Sequence, residues 1–204
     1  GSRDSRPPHR GARGGRGGGQ GLLHAHAAAG RGGRHTNIVA TPSGARLADG
    51  TRADFARNTL VVVLPASSQR QPRSLKDLAA PGFARIAAGT PASVPAGRYT
   101  ADAVAAARLA DALQPRWVFG ESVRQVLNYV ARAEVDAGFV YRTDALVEAG
   151  KTRIAFTVPT ASPVSYPIAQ VAASAHAQAA KDFIAFVRGA SGQAILQRHG
   201  FSPP

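Results

Sequence analysis

The sequence predicts an α/β fold in which strands and helices alternate around a parallel sheet. Three observations predict it. The stretch "NTLVVVLPA" (residues 58–66) is an apolar, β-branched run of strand length. Downstream, short apolar runs alternate with longer alanine-rich stretches, the pattern of strands joined by crossover helices. The 204 residues, 44% of them hydrophobic, suffice for one large domain or two small lobes with a real core.

The elements follow in order. "SLKDLAAPG" (74–82) reads as a short helix stopped by Pro81 and Gly82, and "ARIAAG" (84–89) as a strand. Small and turn-forming residues, among them Pro91, Ser93 and Pro95, then lead into a helix from about Gly97 to Leu113. "RWVFG" (116–120) is a strand and "ESVRQVLNYVARAE" (121–134) a helix with Ser122 as its N-cap. "VDAGFVYRTDALVEAG" (135–150) is a strand followed by a short helix. "RIAFTVP" (153–159) and "SYPIAQVA" (165–172) are strands, and helices over about 178–188 and 191–199 close the chain.

Composition narrows the classes. No apolar run reaches the length of about 18 residues that a membrane-spanning helix needs. Cysteine is absent, which excludes disulfides, thiolate metal sites and a cysteine nucleophile. Methionine is absent too, so the chain is expected to be a processed product or a fragment. The net charge is +13, and the first 34 residues carry 11 of the 22 glycines. "RGARGGRGGGQG" (10–21) resembles an RGG box, which binds RNA through charge and arginine stacking. Such boxes interleave Phe or Tyr, and no aromatic residue occurs before Phe55. The expected reading of residues 1–46 is a low-complexity or non-native leader. "GLLHAHAAAG" (21–30) is too short, and too broken by His24 and His26, for a signal peptide.

Little points to a catalyst. His9, His24, His26 and His35 fall in the leader, and His176 and His199 take surface-like helical positions. No nucleophile elbow, zinc-protease or phosphate-loop motif occurs. Glu134 and Asp136 alternate in direction at a strand start, so acid–base work there is a minor reading. The helix starts are more informative. "VPAG" (94–97) and "GESV" (120–123) each open a helix directly after a strand, leaving free backbone N–H groups and a positive dipole end suited to an anion. Ala96 and Gly97 have no bulk to block close approach. Ordinary strand-to-helix loops use the same residues, so both readings stand at this point. Tyr141 ends the strand "AGFVY" on the same side, where its hydroxyl donates to an oxyanion or its ring packs on the next helix.

Five blocks in matching order and spacing carry a resemblance. "TRADFARNTLVVVLP", "VPAGRYTADAV", "GESVRQVLNYVARAEVDAGFVYRTDA", "SYPIAQV" and "GQAILQRHGF" together resemble the periplasmic molybdate-binding proteins of ABC transporters, from about residue 47 to residue 204. The resemblance implies the type II periplasmic-binding fold, two α/β lobes that close on molybdate or tungstate by a hinge motion. It implies neutral donors, which carried over by position are the backbone N–H of Ala96, the backbone N–H of Val123 and the hydroxyl of Tyr141. The anion is then held through its oxygens, with no cofactor and no protein-bound metal. The implied protein is a solute-binding transport component rather than an enzyme. It would lie in the periplasm, with a membrane permease as partner and no nucleic acid.

The sequence departs from the family at its start. The family's first lobe carries two serine-bearing blocks that complete the cage. Residues 1–46 show neither, and Ser2, Ser5 and Ser43 stand in no such context. The expected organisation is a leader (1–46), a first-lobe remnant with a hinge strand (47–65), a complete second lobe (66–164), and a hinge strand with C-terminal helices of the first lobe (165–204). The Arg/Gly/His-rich text is expected to be either out-of-frame translation of a GC-rich gene or part of a truncated homologue. Binding is then expected to be impaired by the missing half-cage. Phe183, Phe186, Ile195 and Leu196 are expected to be exposed or to pack on a neighbouring chain, so that the protein self-associates. The alternatives are an oxyanion-sensing regulatory domain, against which the lack of a helix-turn-helix pattern in residues 1–50 argues, and RNA binding through the basic arm.

Overall fold

In a computed structural model of the chain, residues 46–204 are described. The expectations for the RGG-like stretch and the leader lie outside these residues, apart from Arg46. The apolar run forms β2 (Leu60–Pro65), and a further strand, β1 (Ala53–Asn58), precedes it. All six residues of β2 are buried, because it runs inside a five-stranded sheet with layers on both faces. The other strands of that sheet are β3 (Ile86–Gly89), β4 (Trp117–Gly120), β5 (Ala137–Tyr141) and β6 (Thr152–Thr157), in the order β4-β3-β5-β2-β6. A separate antiparallel pair joins β1 to β7 (Val164–Ile168).

Side chains alternate between the two faces of the sheet, as the pleat requires. Leu60, Val62 and Leu64 point to one core with Ile86, Phe139 and Tyr99. Val61 and Val63 point to the other with Ala87, Val126, Val130 and Val140. Helix α1 (Pro95–Ala106) covers the first face and α3 (Val123–Ala131) the second.

The expected parallel sheet is only partly realised. Strands β3, β4 and β5 are parallel, whereas β2 runs antiparallel to both β5 and β6. The reason is topological. β2 enters this sheet from the β1/β7 layer and alone runs against the other strands, whereas β6, antiparallel to β2, runs with β5 and follows it through the helix at Arg142–Val147.

The helix expected over 97–113 is also divided. It ends at Ala106, and α2 (Ala110–Leu113) restarts after a left-handed Arg108 at φ 57°. The Arg108 N–H donates to the Ala105 carbonyl at 2.9 Å, and the Leu109 N–H to the Val104 carbonyl at 3.0 Å. That pair of bonds is the Schellman helix ending, which usually places glycine at the left-handed position. The same ending closes α3 at Ala133, with φ 53°. With arginine and alanine in place of glycine, neither stop is legible in the sequence.

The expected helix at 74–82 is a 3-10 turn (Leu75–Ala79). Its carbonyls converge on Arg116, whose guanidinium donates to Leu78, Ala79, Ala80 and Phe83 at 2.7 to 3.1 Å. α4 (Arg142–Val147) connects β5 to β6, and α5 (Ala177–Arg188) and α6 (Ala190–Arg198) are the last helices. α5 buries none of its residues, and Phe183, Phe186 and Ile195 are 58%, 50% and 40% exposed, whereas Leu196 is half-buried. After α6 the chain returns to β1, where Arg57 and Ser202 exchange backbone hydrogen bonds.

Replacing Arg116 with Met keeps the aliphatic stem but strands four carbonyls. Arg116→Met is expected to lower the unfolding free energy by about 2 kcal/mol in denaturant melts, with Arg116→Lys recovering only part.

Candidate functional site

The parallel register brings the carboxyl ends of β3, β4 and β5 to one edge of the sheet. Gly89 pairs with Gly120, and Ile86 and Ala87 pair with Ala137 and Gly138. The Thr90 N–H donates to the Gly120 carbonyl at 2.9 Å, and the Thr90 hydroxyl donates to the same oxygen at 3.2 Å. The two loops that lead into α1 and α3 are thereby stitched together.

From Thr90 the chain makes a tight turn, with the Ser93 and Val94 N–H groups donating to the Thr90 carbonyl. Pro95 then opens α1, its fixed φ suited to the first helical position. The N-cap is Val94, which has no side-chain acceptor for the helix's first N–H groups. Ala96 is the second residue of α1 and is fully buried.

α3 starts differently. The Ser122 hydroxyl accepts from the Gln125 N–H at 3.2 Å, and the Gln125 side chain accepts from the Glu121 N–H at 2.7 Å. This reciprocal cap takes the third helical N–H and leaves that of Val123, the first residue of α3, outside it. Tyr141 is the last residue of β5, opposite Leu60 of β2, and is buried. The three residues expected to bind a ligand therefore stand on one edge, at the first turns of two helices and the end of the strand beside them.

The reason for the small residues in "VPAG" is partly different from the expected one. A Cβ on Gly97 would lie 2.0 Å from the Gly89 carbonyl oxygen, and a Cβ on Gly89 would lie 2.5 Å from a Val94 methyl. The space that Gly97 leaves open is filled by the protein's own backbone. The missing side chain lets α1 sit against the end of β3. A Cβ on Gly138 would likewise lie 2.5 Å from a Val130 methyl, where α3 packs on β5.

One carboxyl stands close to this edge. Asp144 lies in the first turn of α4, three residues after Tyr141. Burial raises its pKa above the ordinary carboxylate range, while Arg124 and the N–H groups of Tyr141 and Asp144 pull it the other way. Arg124 directly follows Val123, so this pair spans two of the site's elements. Glu134 and Asp136 do not work together. Asp136 pairs with Arg70 at 3.2 Å and accepts from the Arg85 N–H, while Glu134 faces Arg132 at 3.8 Å. His176 and His199 are exposed at helix ends. Among the described residues, no group of three or more His, Cys, Asp or Glu side chains is placed to hold a metal ion.

An apolar cavity of about 250 Å³ lies under α1 beside β4, lined by Val104, Trp117 and Phe119 among others. Its polar side chains are Thr100, whose hydroxyl already donates to the Ala96 carbonyl, and Gln114. It offers an oxyanion little. Thr90, Arg124 and Asp144 were not legible as parts of the site. For Thr90 the one available signal is a threonine directly after a strand's terminal glycine, which by itself singles out no role.

A mixed α/β sheet with bare helix starts and a tyrosine on one strand-end edge defines a small-ligand-binding lobe. The chain belongs to the bacterial extracellular solute-binding protein family, whose model matches residues 34–202. It is 36% identical over 151 residues to the lipoprotein YvgL of Bacillus subtilis (strain 168), covering 73% of this chain and 57% of YvgL. It is 33% identical over 155 residues to the molybdate-binding protein ModA of Haemophilus influenzae (strain ATCC 51907 / DSM 11121 / KW20 / Rd), covering 71% of this chain and 58% of ModA. Among solved structures, a substrate-binding domain from Clostridium difficile superposes with a TM-score of 0.71 at 34% identity, over 78% of this chain and 69% of that one. The chain thus spans less than two thirds of the length of the two relatives. The fold is that of the type II periplasmic binding proteins, as the resemblance implied.

Asp144 generates a prediction about pH. Because its folded-state pKa is raised, the stability it contributes is full below the ordinary carboxylate range and is lost as pH rises through the raised value. Asp144→Asn keeps an oxygen acceptor without the charge. Its melting temperature is expected to exceed that of the unsubstituted protein at neutral pH and to converge with it in acid, read from thermal melts across pH.

Proposed function

We propose that this chain is the oxyanion-binding part of an ABC-transporter solute-binding component that takes up molybdate or tungstate. The observation that supports the reading is the placement of Ala96, Val123 and Tyr141 at two helix starts and a strand end along one sheet edge, in a chain similar to a molybdate-binding protein. Two helix starts supply partial positive charge without a counter-ion, and the phenol adds a neutral donor. Neutral donors at a fixed radius select a tetrahedral dianion by size and by full deprotonation. A cage wide enough for the longer metal–oxygen bonds of molybdate holds sulfate less well. Burial disfavours the charged form of Asp144, which lessens the repulsion a carboxylate beside the site would exert on an anion. The three donors form one wall of a cage, and binding by this chain is accordingly weaker than by a closed two-lobed site. The place of action is the periplasm, and the partner is the transporter's membrane permease.

Thermal shift with molybdate, tungstate and sulfate tests the reading. Stabilisation is expected with the first two and little with sulfate. Tyr141→Phe is expected to weaken molybdate about tenfold, the loss of one hydrogen bond to a charged group. Equal response to all three anions, or none, would count against it.

The exposed face of α5 and α6 belongs to the same proposal. Phe183, Phe186 and Ile195 drive self-association of the chain. Sedimentation is expected to show mass rising with concentration, and Phe183→Ser with Phe186→Ser to reduce it. A monomer at all concentrations, with one cooperative melt, would overturn this part.

A further inference from the structure

Asn58 is the last residue of β1 and is only 8% exposed. Its side-chain amide spends both donors on different parts of the molecule. One N–H donates to the Thr143 hydroxyl of α4 at 2.9 Å, and the other to the Tyr166 hydroxyl of β7 at 3.1 Å. Its oxygen accepts from the Thr59 N–H at 2.9 Å, which holds the turn where the chain leaves the β1/β7 layer. This uses every donor the side chain has and orients it from both sides.

The surroundings place this amide at a joint. The Arg142 N–H donates to the Thr59 carbonyl and the Val158 N–H to the Leu60 carbonyl, both at 2.9 Å. Leu60 stands opposite Tyr141. The outgoing passage between layers, at Thr59, and the start of the returning one, at Val158, therefore run beside the same turn. Tyr99 lies in the first face's core, three residues after Ala96 on α1. Burial, and next to it the neighbouring Tyr166, push its phenol pKa up to about 12. Tyr166 of the second layer thus lies near Tyr99 of α1 and shares the Asn58 amide with Thr143, two residues after Tyr141. Apolar packing alone would let the layers slide, whereas two directional donors fix one arrangement.

We propose that Asn58 is a positioning residue for the oxyanion site, holding Thr143 and Tyr166 on one amide so that the seat of Tyr141 is coupled to the placement of the β1/β7 layer. The inference rests on the oxyanion reading above. It concerns this joint and not the donors that touch the anion.

Thr143→Val, Thr143→Ser, Tyr166→Phe and the double variant Thr143→Val with Tyr166→Phe test it. Molybdate affinity is read by calorimetry, and hydrogen exchange is followed at the Thr59 and Arg142 amides without ligand. Thr143→Val and Tyr166→Phe are each expected to weaken molybdate about threefold to tenfold and to speed exchange at both amides. The double variant is expected to lose less than the product of the two, because they share one amide. Thr143→Ser, which keeps the hydroxyl, is expected to restore binding. Unchanged affinity with a lower melting temperature, multiplicative losses, or no rescue by serine would overturn the proposal. If the unsubstituted chain does not bind molybdate, the oxyanion reading fails by itself, and exchange decides the joint. Faster exchange at both amides in both variants then supports it, and a change confined to the substituted element overturns it.

Discussion

Backbone meets backbone where α1 begins, and the edge that carries the candidate site depends on that contact. The Gly89 carbonyl occupies the volume that a side chain on Gly97 would need. This closeness sets the distance of α1 from the sheet, and with it the position of the Ala96 N–H. The Thr90 bonds to Gly120 then carry the constraint across to the loop of α3. A larger residue at position 97 would push the helix start off the strand end. Close approach needs glycine here for packing, before any ligand is considered.

The charge distribution is instructive. The chain carries a net charge of +13, yet the candidate donors are two amides and a phenol. Several cations serve the protein itself. Arg116 gathers the carbonyls of the 3-10 turn, Arg70 pairs with Asp136, and Arg153 donates to the carbonyls of Ser68 and Arg70. An anion bound by dipoles and hydrogen bonds is read by its shape and protonation state, and is released without breaking an ion pair. Burial of Asp144 raises its pKa from the ordinary carboxylate value and so disfavours its charged form, against the pull of Arg124.

The β1/β7 pair is a small layer tied to a larger one by two chain passages and one buried amide. Arg57 and Ser202 bring the end of the chain back to the same layer. α5 and α6, which connect them, bury little against the described residues and keep their aromatic side chains exposed. That exposed face is the one on which the proposed self-association rests.

The sequence by itself determined most of the local structure. β-branched runs marked the strands, Ser122 marked the cap of α3, and the blocks around Ala96, Val123 and Tyr141 pointed to an oxyanion family. These features are legible because they rest on residue type and spacing within one element. Tertiary structure alone decided the antiparallel placement of β2 between β5 and β6, since strand direction depends on which layer the chain arrives from. It decided the helix stops at Arg108 and Ala133, where packing holds non-glycine residues in a left-handed conformation. It also decided why Gly97 is glycine, and that Asn58, Thr143 and Tyr166 meet, because contacts between residues 85 and 108 positions apart in the chain leave no periodic trace in it.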